Sequence, residues 1–400
     1  MIFTADYIFP ISGDSIKNGY VECDDKGIII ATGLTSDLTP ETKIGNRIRQ
    51  CRGIIVPGFI NSHCHIELSH LKGLFRQGTG MDGFIKQINA LRLTADYNER
   101  MKAMTDELDS LYRDGVSAMA DISNCDESFS IKSESPLYTR TFLEVFGTEP
   151  EDAPAIISDV VKLQKKAEQY GIDAAPTPHS CYTMSPLLNR LAAAEGLKSG
   201  YISYHNQESS EEEDMIRYGT GPLAEDYRER GASMPPVTGH SALIYFLDNL
   251  QKECKAPIEG NVILVHNVAT DRESINAAQK VCKHLFWALC PLSNWFIHRK
   301  LPPINLLRDN HLNICIGTDS LSSNLLLSMI DEIRCIQDHF KELNLCEILK
   351  WATLNGACAI GRESRFGSLD PGKQPGIVLI DNVDLNSLKL TNNSKSTRLI

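Results

Sequence analysis

Residues 54–65 read Ile-Ile-Val-Pro-Gly-Phe-Ile-Asn-Ser-His-Cys-His, an apolar run that ends in two histidines. A short apolar run bounded by turn-forming or polar residues predicts a strand that is buried on both faces. Successive side chains of a strand point to opposite faces, so His63 and His65 share one face while Cys64 turns to the other. Two imidazoles side by side at the carboxyl end of a strand form half of a metal site.

Comparable apolar runs recur along the chain. They are Ile54–Ile60, Val116–Ile122, Thr141–Phe146, Ile172–Pro178, Tyr201–His205, Val262–His266, Phe286–Cys290 and Ile314–Thr318. Between them lie amphipathic helix candidates, such as residues 155–170 and 273–283. Strand alternating with helix eight times predicts an α/β fold, the (β/α)8 TIM barrel.

The two ends of the chain differ from the barrel pattern. The N-terminal part contains short strand-like pieces separated by turns, and the turn-rich Gly367–Lys373 leads into another strand-like run, Gly376–Ile380. We therefore predict that residues 1–53 and 366–400 form one small composite β-domain, with the barrel at residues 54–365. The polar segment Thr391–Thr397 is predicted to be loosely ordered.

Composition restricts the classes of partner. The 400 residues are 42% hydrophobic and 23% charged, and the formal net charge of −11 disfavours nucleic acid. No apolar stretch approaches the roughly 20 residues that a membrane span needs, and the N-terminus does not resemble a signal peptide. The 12 cysteines form no CxxC pair, which favours a reducing compartment. We expect a cytoplasmic protein that acts on a small molecule, without a nucleic-acid or membrane partner.

Ionisable residues also close three later runs. His205 ends the fifth run, His266 ends the sixth, and Asp319 follows the eighth. Active sites of TIM barrels lie at the carboxyl ends of the strands. A single histidine is easily accommodated in a core, but packing does not require four histidines and an aspartate at one end of a barrel. This joint pattern predicts a metal-dependent active site.

Several of these motifs resemble the amidohydrolase superfamily. Val56–His65 looks like its first-strand signature, and His205-Asn206-Gln207-Glu208 resembles the HxxE motif of its mononuclear deaminase branch. That branch includes cytosine, guanine and S-adenosylhomocysteine deaminases and the triazine hydrolases. Leu264–Asn267 and Gly317–Ser320 match the later strands, and Gly367–Lys373 resembles the turn that returns the chain to the small β-domain.

The resemblance extends to narrower groups, with two departures. Residues 63–70 and Gly317–Asn324 are similar to the aminodeoxyfutalosine deaminases and to chlorohydrolase-like proteins. The final turn continues as Gln374–Ile377 instead of the usual Ala-Asp, and we expect no catalytic consequence. The fourth run lacks the lysine that binuclear members carry, which favours one metal. His179 occupies that strand end, and the resemblance implies that it faces the substrate.

The resemblance implies a metal held by His63, His65, His205 and Asp319. Three neutral imidazoles and one carboxylate suit a single divalent ion, zinc, although iron(II) fits the same ligands. The expected reaction is hydrolytic deamination of an aminated heterocycle, a purine, pyrimidine or nucleoside-like molecule, by zinc-bound hydroxide.

Three residues are assigned catalytic roles in this reaction. Glu208 is expected to shuttle the water proton to the substrate. His266 holds the nucleophile or stabilises the developing oxyanion. Asp319 accepts a hydrogen bond from the nucleophile in addition to ligating the metal.

Three further residues are candidate substrate contacts. Glu67 meets a substrate N–H or forms an ordinary salt bridge, Tyr182 stacks on a ring, and Asn294 bonds to the substrate or forms a turn. The same site would also suit hydrolysis of an amide, a ring C–N bond or a C–Cl bond. A non-catalytic ligand-binding barrel is the alternative from another class, and related barrels are often homodimers.

Overall fold

The computed structural model describes residues 1–40 and 47–400. Within these ranges the strands are β1 (Ile2–Ile8), β2 (Ile16–Cys23), β3 (Ile29–Leu34), β4 (Ile48–Gln50), β5 (Ile54–Pro57), β6 (Phe59–Cys64), β7 (Val116–Ser123), β8 (Tyr138–Val145), β9 (Asp173–Pro178), β10 (Tyr201–Asn206), β11 (Ile258–His266), β12 (Cys282–Leu289), β13 (Asn313–Ile316), β14 (Ile377–Asp381) and β15 (Lys395–Arg398).

The α-helices alternate with the central strands. They are α1 (Gly80–Leu91), α2 (Tyr97–Arg113), α3 (Phe129–Glu134), α4 (Ala153–Gln169), α5 (Pro186–Leu197), α6 (Ser210–Tyr218), α7 (Pro222–Arg230), α8 (Ala242–Glu253), α9 (Arg272–Val281), α10 (Pro291–His298), α11 (Ile304–Asp309), α12 (Met329–His339), α13 (Leu345–Lys350) and α14 (Gly356–Ala359). A 3₁₀-helix, Ile66–Leu71, directly follows the two histidines of the first barrel strand. No helix in the described ranges is both long enough and apolar enough to cross a bilayer.

The eight central strands form the predicted (β/α)8 barrel. Two parallel four-stranded sheets, β6-β7-β8-β9 and β10-β11-β12-β13, meet along both of their edges. At one seam the amide of His205 donates to the carbonyl of His179 at 2.9 Å. At the other seam the amides of Thr318 and Asp319 both donate to the carbonyl of His63 at 3.0 Å. The two seams therefore bring the strand ends that carry histidines and Asp319 to one end of the barrel, which we call the barrel mouth.

The first apolar run is two strands and not one, so the prediction of a single strand over Ile54–Ile60 is wrong. β5 pairs with β1 and β14, whereas β6 pairs with β7. The break falls at Gly58, where a Cβ atom would lie 1.9 Å from Ser117 Oγ. The chain thus passes from one sheet to another at the position where only glycine fits.

The remaining strands form a sheet built from both termini. Its order is β15-β14-β5-β1-β2-β3, with β4 also paired to β1. The expectation of loose order at Thr391–Thr397 is wrong for its end, because β15 pairs antiparallel with β14. Arg398 anchors this edge strand by donating to the carbonyls of Tyr112 and Val116, both at 2.8 Å.

The predicted helices are present with shifted ends. The candidate at residues 155–170 is α4, which buries Val160 and Ala167 against the barrel. The candidate at 273–283 is α9, which ends at Val281 because Cys282 already begins β12. Helix α9 starts with Asp271 as its N-cap, whose side chain accepts from the amide of Ser274.

Candidate active site

Three histidines bring their ring nitrogens together at the barrel mouth. The Nε2 atoms of His63 and His65 are 3.2 Å apart, and those of His65 and His205 are 3.3 Å apart. His63 is fully buried. Burial, followed by the nearby imidazoles of His205 and His65, lowers the pKa of His63 well below its usual range. The imidazole is therefore neutral, which is the form that binds a metal.

The spacing of these nitrogens fits one tetrahedral cation. Two nitrogen ligands about 2.0–2.1 Å from the same zinc ion lie about 3.3–3.4 Å apart. The two measured separations, 3.2 and 3.3 Å, match that value closely. His63, His65 and Asp319 form one group of potential ligand atoms, and His63, His205 and His266 form an overlapping one.

Asp319 presents one carboxylate oxygen to the histidines and has the other one held by hydroxyls. Its Oδ1 lies 3.6 Å from His65 Nε2 and 3.8 Å from His63 Nε2. Its Oδ2 accepts from Ser293 Oγ at 2.6 Å and from Ser323 Oγ at 2.7 Å. The two hydroxyls fix the orientation of the carboxylate, so Oδ1 remains available as a ligand.

His266 is oriented by Asn294 and faces Glu208. The Nδ2 amide of Asn294 lies 3.0 Å from His266 Nδ1, and the amide donates because neutral imidazole offers one acceptor nitrogen. The proton of neutral His266 is then on Nε2, which lies 3.7 Å from Glu208 Oε1. His266 can therefore donate from Nε2 toward the cavity.

Glu208 is an ionised carboxylate enclosed by protein. Burial acts to raise the pKa of its carboxyl, but His266 and His298 oppose that effect and hold the pKa at about 2. Its backbone amide donates to Glu212 Oε2 at 2.7 Å, which holds the start of the loop after β10. Glu208 is therefore a carboxylate near neutral pH, and its oxygens can accept hydrogen bonds from a ligand in the cavity.

Four residues at or next to these groups have left-handed backbone conformations. Gln207, His266, Asn267 and Asp319 all adopt positive φ angles, 46°, 73°, 62° and 57°. Such conformations in residues other than glycine cost on the order of 1–3 kcal/mol and cluster at functional sites. The Asn206 Nδ2 amide supports the strained turns by donating to Asn267 Oδ1 at 2.9 Å.

Glu144 on β8 belongs to the site but carries no sequence motif. Its Oε1 lies 3.2 Å from His205 Nδ1, and its Oε2 lies 3.9 Å from His179 Nε2. Burial acts to raise the pKa of Glu144, whereas His179 and His205 lower it, and the net direction is downward. A charged residue within the apolar run Thr141–Phe146 is the signal that sequence reasoning missed. His298, whose Nε2 lies 3.9 Å from Glu208 Oε1, was also missed.

The structure separates the four predicted substrate contacts into two pairs. His179 and Tyr182 line the cavity, and the His179 ring stacks on His205 with centroids 4.6 Å apart. Glu67 and Asn294 are not among the described cavity-lining residues. The Glu67 carboxylate instead accepts hydrogen bonds from the backbone amide of Asn124 at 2.9 Å and from Ser128 Oγ at 3.3 Å. The side chain of Asn294 is hydrogen-bonded to His266.

A cavity of about 390 Å³ opens onto these groups, a volume that suits a small-molecule ligand. Its inner lining includes His65, His179, His205, Glu208, His266 and Asp319, together with Glu144. Its outer wall comes from α1, α7 and the segments after β7, β8 and β9. All of the candidate ligands except His63 therefore line the same cavity as the candidate proton carriers.

The chain belongs to the amidohydrolase family, whose model matches residues 54–398. It is thus a hydrolase that acts on carbon–nitrogen bonds, as the motifs predicted. An aminodeoxyfutalosine deaminase from a Nitratiruptor species is 25% identical over 342 residues, which cover 82% of this chain and 79% of that protein.

Solved structures share the fold over nearly the whole chain. Helicobacter pylori aminofutalosine deaminase in complex with methylthio-coformycin aligns with a TM-score of 0.82 at 22% identity and covers 100% of both chains. An adenosine deaminase from Xanthomonas campestris with bound zinc aligns with a TM-score of 0.72 at 20% identity, covering 97% of this chain and 86% of that one. The TIM barrel with a second sheet is confirmed by these alignments.

Proposed function

We propose that this protein hydrolytically deaminates the 6-amino group of an adenine nucleoside. The observation that carries the proposal is that one cavity is lined by ionised Glu208, His266, His65 and His205, and that the nitrogens of the last two converge with that of buried His63. An adenosine deaminase and an aminodeoxyfutalosine deaminase among its relatives support an adenine nucleoside as the substrate class.

One zinc ion is the proposed cofactor, with His63, His65, His205 and Asp319 as its ligands. The nitrogen spacing supports a single tetrahedral ion, and the fourth strand offers alanine, not a bridging lysine, at Ala174 and Ala175. When bound, a divalent ion supplies Lewis acidity, which makes water nucleophilic near neutral pH. Glu144 would orient His205 by accepting a hydrogen bond from its Nδ1.

Side chains of the protein transfer the protons and stabilise the charge that develops. Glu208 accepts a proton from the attacking water and delivers it to ring nitrogen N1 while the water oxygen bonds to C6. His266 donates from Nε2 to the oxygen as charge develops on it. When the C6–N bond breaks, the remaining proton of the C6 hydroxyl passes to the amine, which leaves as ammonia. One water is consumed, and one ammonia and one product with a C6 carbonyl are formed.

Ammonia release tests the proposal directly. The zinc-loaded protein is incubated with adenosine, 5′-methylthioadenosine, guanine and cytosine, and ammonia is measured by a coupled assay. We expect release from the adenine nucleosides, with loss of activity after chelation and recovery after zinc is restored. Hydrolysis without ammonia, as in amide or C–Cl bond cleavage, would contradict deamination. The absence of ammonia release from every adenine nucleoside by the zinc-loaded protein would contradict it as well.

A further inference from the structure

A fully buried ion pair joins strand β7 to helix α3 outside the cavity. Lys132 Nζ lies 2.5 Å from Asp121 Oδ2, and both side chains are 0% exposed. Lys132 also donates to Ser123 Oγ at 2.7 Å and to Thr141 Oγ1 at 3.4 Å. Neither Asp121 nor Lys132 is among the described residues that line the cavity, so the pair does not meet the substrate directly.

A buried ion pair contributes little net stability to a fold. Taking two charges out of water costs about as much as their attraction returns, and apolar residues of similar volume often serve the fold equally well. Removing only one partner is far more costly, because the other charge then stays buried without compensation. The stability of the barrel therefore does not account for this pair, and the contacts of its carboxylate point to a second role.

Asp121 Oδ1 fixes the backbone directly after His65. It accepts from the amide of Ile66 at 2.9 Å, and Ile66 begins the 3₁₀-helix Ile66–Leu71. The first amides of a helix have no acceptor within the helix and need one from elsewhere. The residue just before a helix often supplies one, but that residue is His65, whose side chain makes no capping bond. Asp121 thus supplies an acceptor from the neighbouring strand, and the His65 imidazole stays available to a metal.

The backbone before His65 is held against the same strand. In the parallel pairing of β6 with β7, Cys64 is the partner of Asp121. From this backbone the His65 ring places its Nε2 3.2 Å from His63 Nε2 and 3.3 Å from His205 Nε2. A small rotation of the peptide after His65 would move that nitrogen out of the spacing that one tetrahedral ion requires.

We propose that Asp121, paired with Lys132, positions His65 as a metal ligand by accepting a hydrogen bond from the Ile66 amide. Lys132 compensates the charge of the buried carboxylate and engages Oδ2, which leaves Oδ1 to Ile66. Both residues act through His65, so they are positioning residues and not catalytic ones. The inference rests on the proposed function for the metal that His65 binds.

Two double variants separate the hydrogen bond from the ion pair. Asp121→Leu/Lys132→Met replaces the pair with apolar side chains and leaves the Ile66 amide without this acceptor. Asp121→Asn/Lys132→Met also removes both charges, but its new side-chain carbonyl can still accept from Ile66. Competition with a chelating dye measures zinc affinity. We expect the affinity to fall about 10–100-fold in the first variant and to stay within about threefold of the wild type in the second.

Cobalt(II) reports the geometry of the ligands independently of activity. The visible bands of the cobalt-loaded wild type should shift or lose intensity in Asp121→Leu/Lys132→Met and persist in Asp121→Asn/Lys132→Met. Val160→Ala, on the buried face of α4, is the stability control, because its cavity lowers the urea midpoint far from His65. It should keep the wild-type bands and zinc affinity. If the first double variant does not fold, Asp121→Ala/Lys132→Met takes its place with the same expectation.

Equal zinc affinity and equal cobalt spectra in the two double variants would overturn the proposal. Failure of both apolar replacements to fold would overturn it too, because Asp121 would then serve the fold alone. A wild type that binds neither metal would reject the proposed metal site as well. Ammonia release from adenosine is measured separately. The expected difference between the variants without ammonia from the wild type would leave the positioning of His65 standing and reject deamination.

Discussion

The barrel mouth and the sheet of the two termini bury their side chains for different reasons. The terminal sheet buries apolar residues such as Phe3, Val21, Ile55 and Ile377 in one cluster. The mouth buries His63, Glu144 and Glu208, which lose hydration on folding. Apolar burial stabilises a fold, whereas burial of charged groups needs partners within the site. The comparison indicates that the terminal sheet serves stability and the mouth serves chemistry.

Backbone geometry differs between the mouth and the pair of strands that joins the two termini. Strand β14 pairs with β5 in an unbroken register over residues 377–380 and 54–57. The mouth holds left-handed residues at His266 and Asp319, directly at strand ends. If the distinction holds, substitutions at the mouth should change metal binding and turnover, and substitutions in the terminal sheet should change only the free energy of unfolding.

The largest effect is expected for His63→Ala. This change removes a fully buried imidazole at the centre of the nitrogen cluster, so we expect metal affinity to fall by more than about 100-fold and activity to fall with it. Metal content by mass spectrometry and ammonia release are the two measurements. His240→Ala, at an exposed histidine, is the control. Wild-type metal content in His63→Ala would refute the ligand assignment.

Glu208→Gln should separate chemistry from metal binding. The amide cannot accept a proton as the carboxylate does, so kcat should fall by about 10²–10⁴ while metal content stays at the wild-type level. The matched control is Glu225→Gln on the exposed face of α7. Near-normal turnover of an adenine nucleoside by Glu208→Gln would remove this residue from the proton path.

Glu144→Gln should have a smaller effect through His205. Loss of the charge beside His205 Nδ1 weakens the orientation of that ring, and we expect metal affinity to fall about 10–100-fold. A competition titration with a chelating dye measures the affinity. Glu151→Gln, an exposed glutamate in the segment after β8, should bind metal as the wild type does. Equal affinity in both variants would assign Glu144 to the substrate side of the cavity alone.

The smallest effect on turnover is expected for Ile377→Ala in the terminal sheet. Truncating this fully buried side chain should lower the free energy of unfolding by about 2–5 kcal/mol with kcat unchanged. Urea unfolding at a constant zinc concentration measures the loss. Ile30→Ala, in the same sheet but 50% exposed, should change stability by less than about 0.5 kcal/mol. A fall in kcat for Ile377→Ala would show that the two regions are coupled.

Local patterns predicted much of the site. The alternation of side chains along a strand predicted that His63 and His65 lie on the same face. The HxxE motif predicted that Glu208 lies in the loop just beyond His205. The strand ends could be aligned at one mouth because all parallel strands of a TIM barrel share one polarity. The first run misled the prediction because apolar character continues across Gly58 and conceals the change of sheet.

Residues that act through distant partners were not predictable in this way. Asn294 lies in helix α10, shortly after β12 ends, yet its partner is His266, 28 positions earlier. Glu67 follows His65 by two residues, but the strand has already ended at Cys64. The 3₁₀-helix Ile66–Leu71 therefore turns the Glu67 side chain toward the backbone amide of Asn124. Helical geometry there overrides the alternation that had placed Glu67 beside His65.

The sequence by itself determined the order of the elements, the barrel class and the positions of the ionisable residues, because these depend on neighbours a few positions apart. Only the tertiary structure decided that Glu144 contacts His205 and that Ser293 and Ser323 hold Asp319. These relations join residues whose separation along the chain carries no periodic signal, so they arise only when the barrel closes.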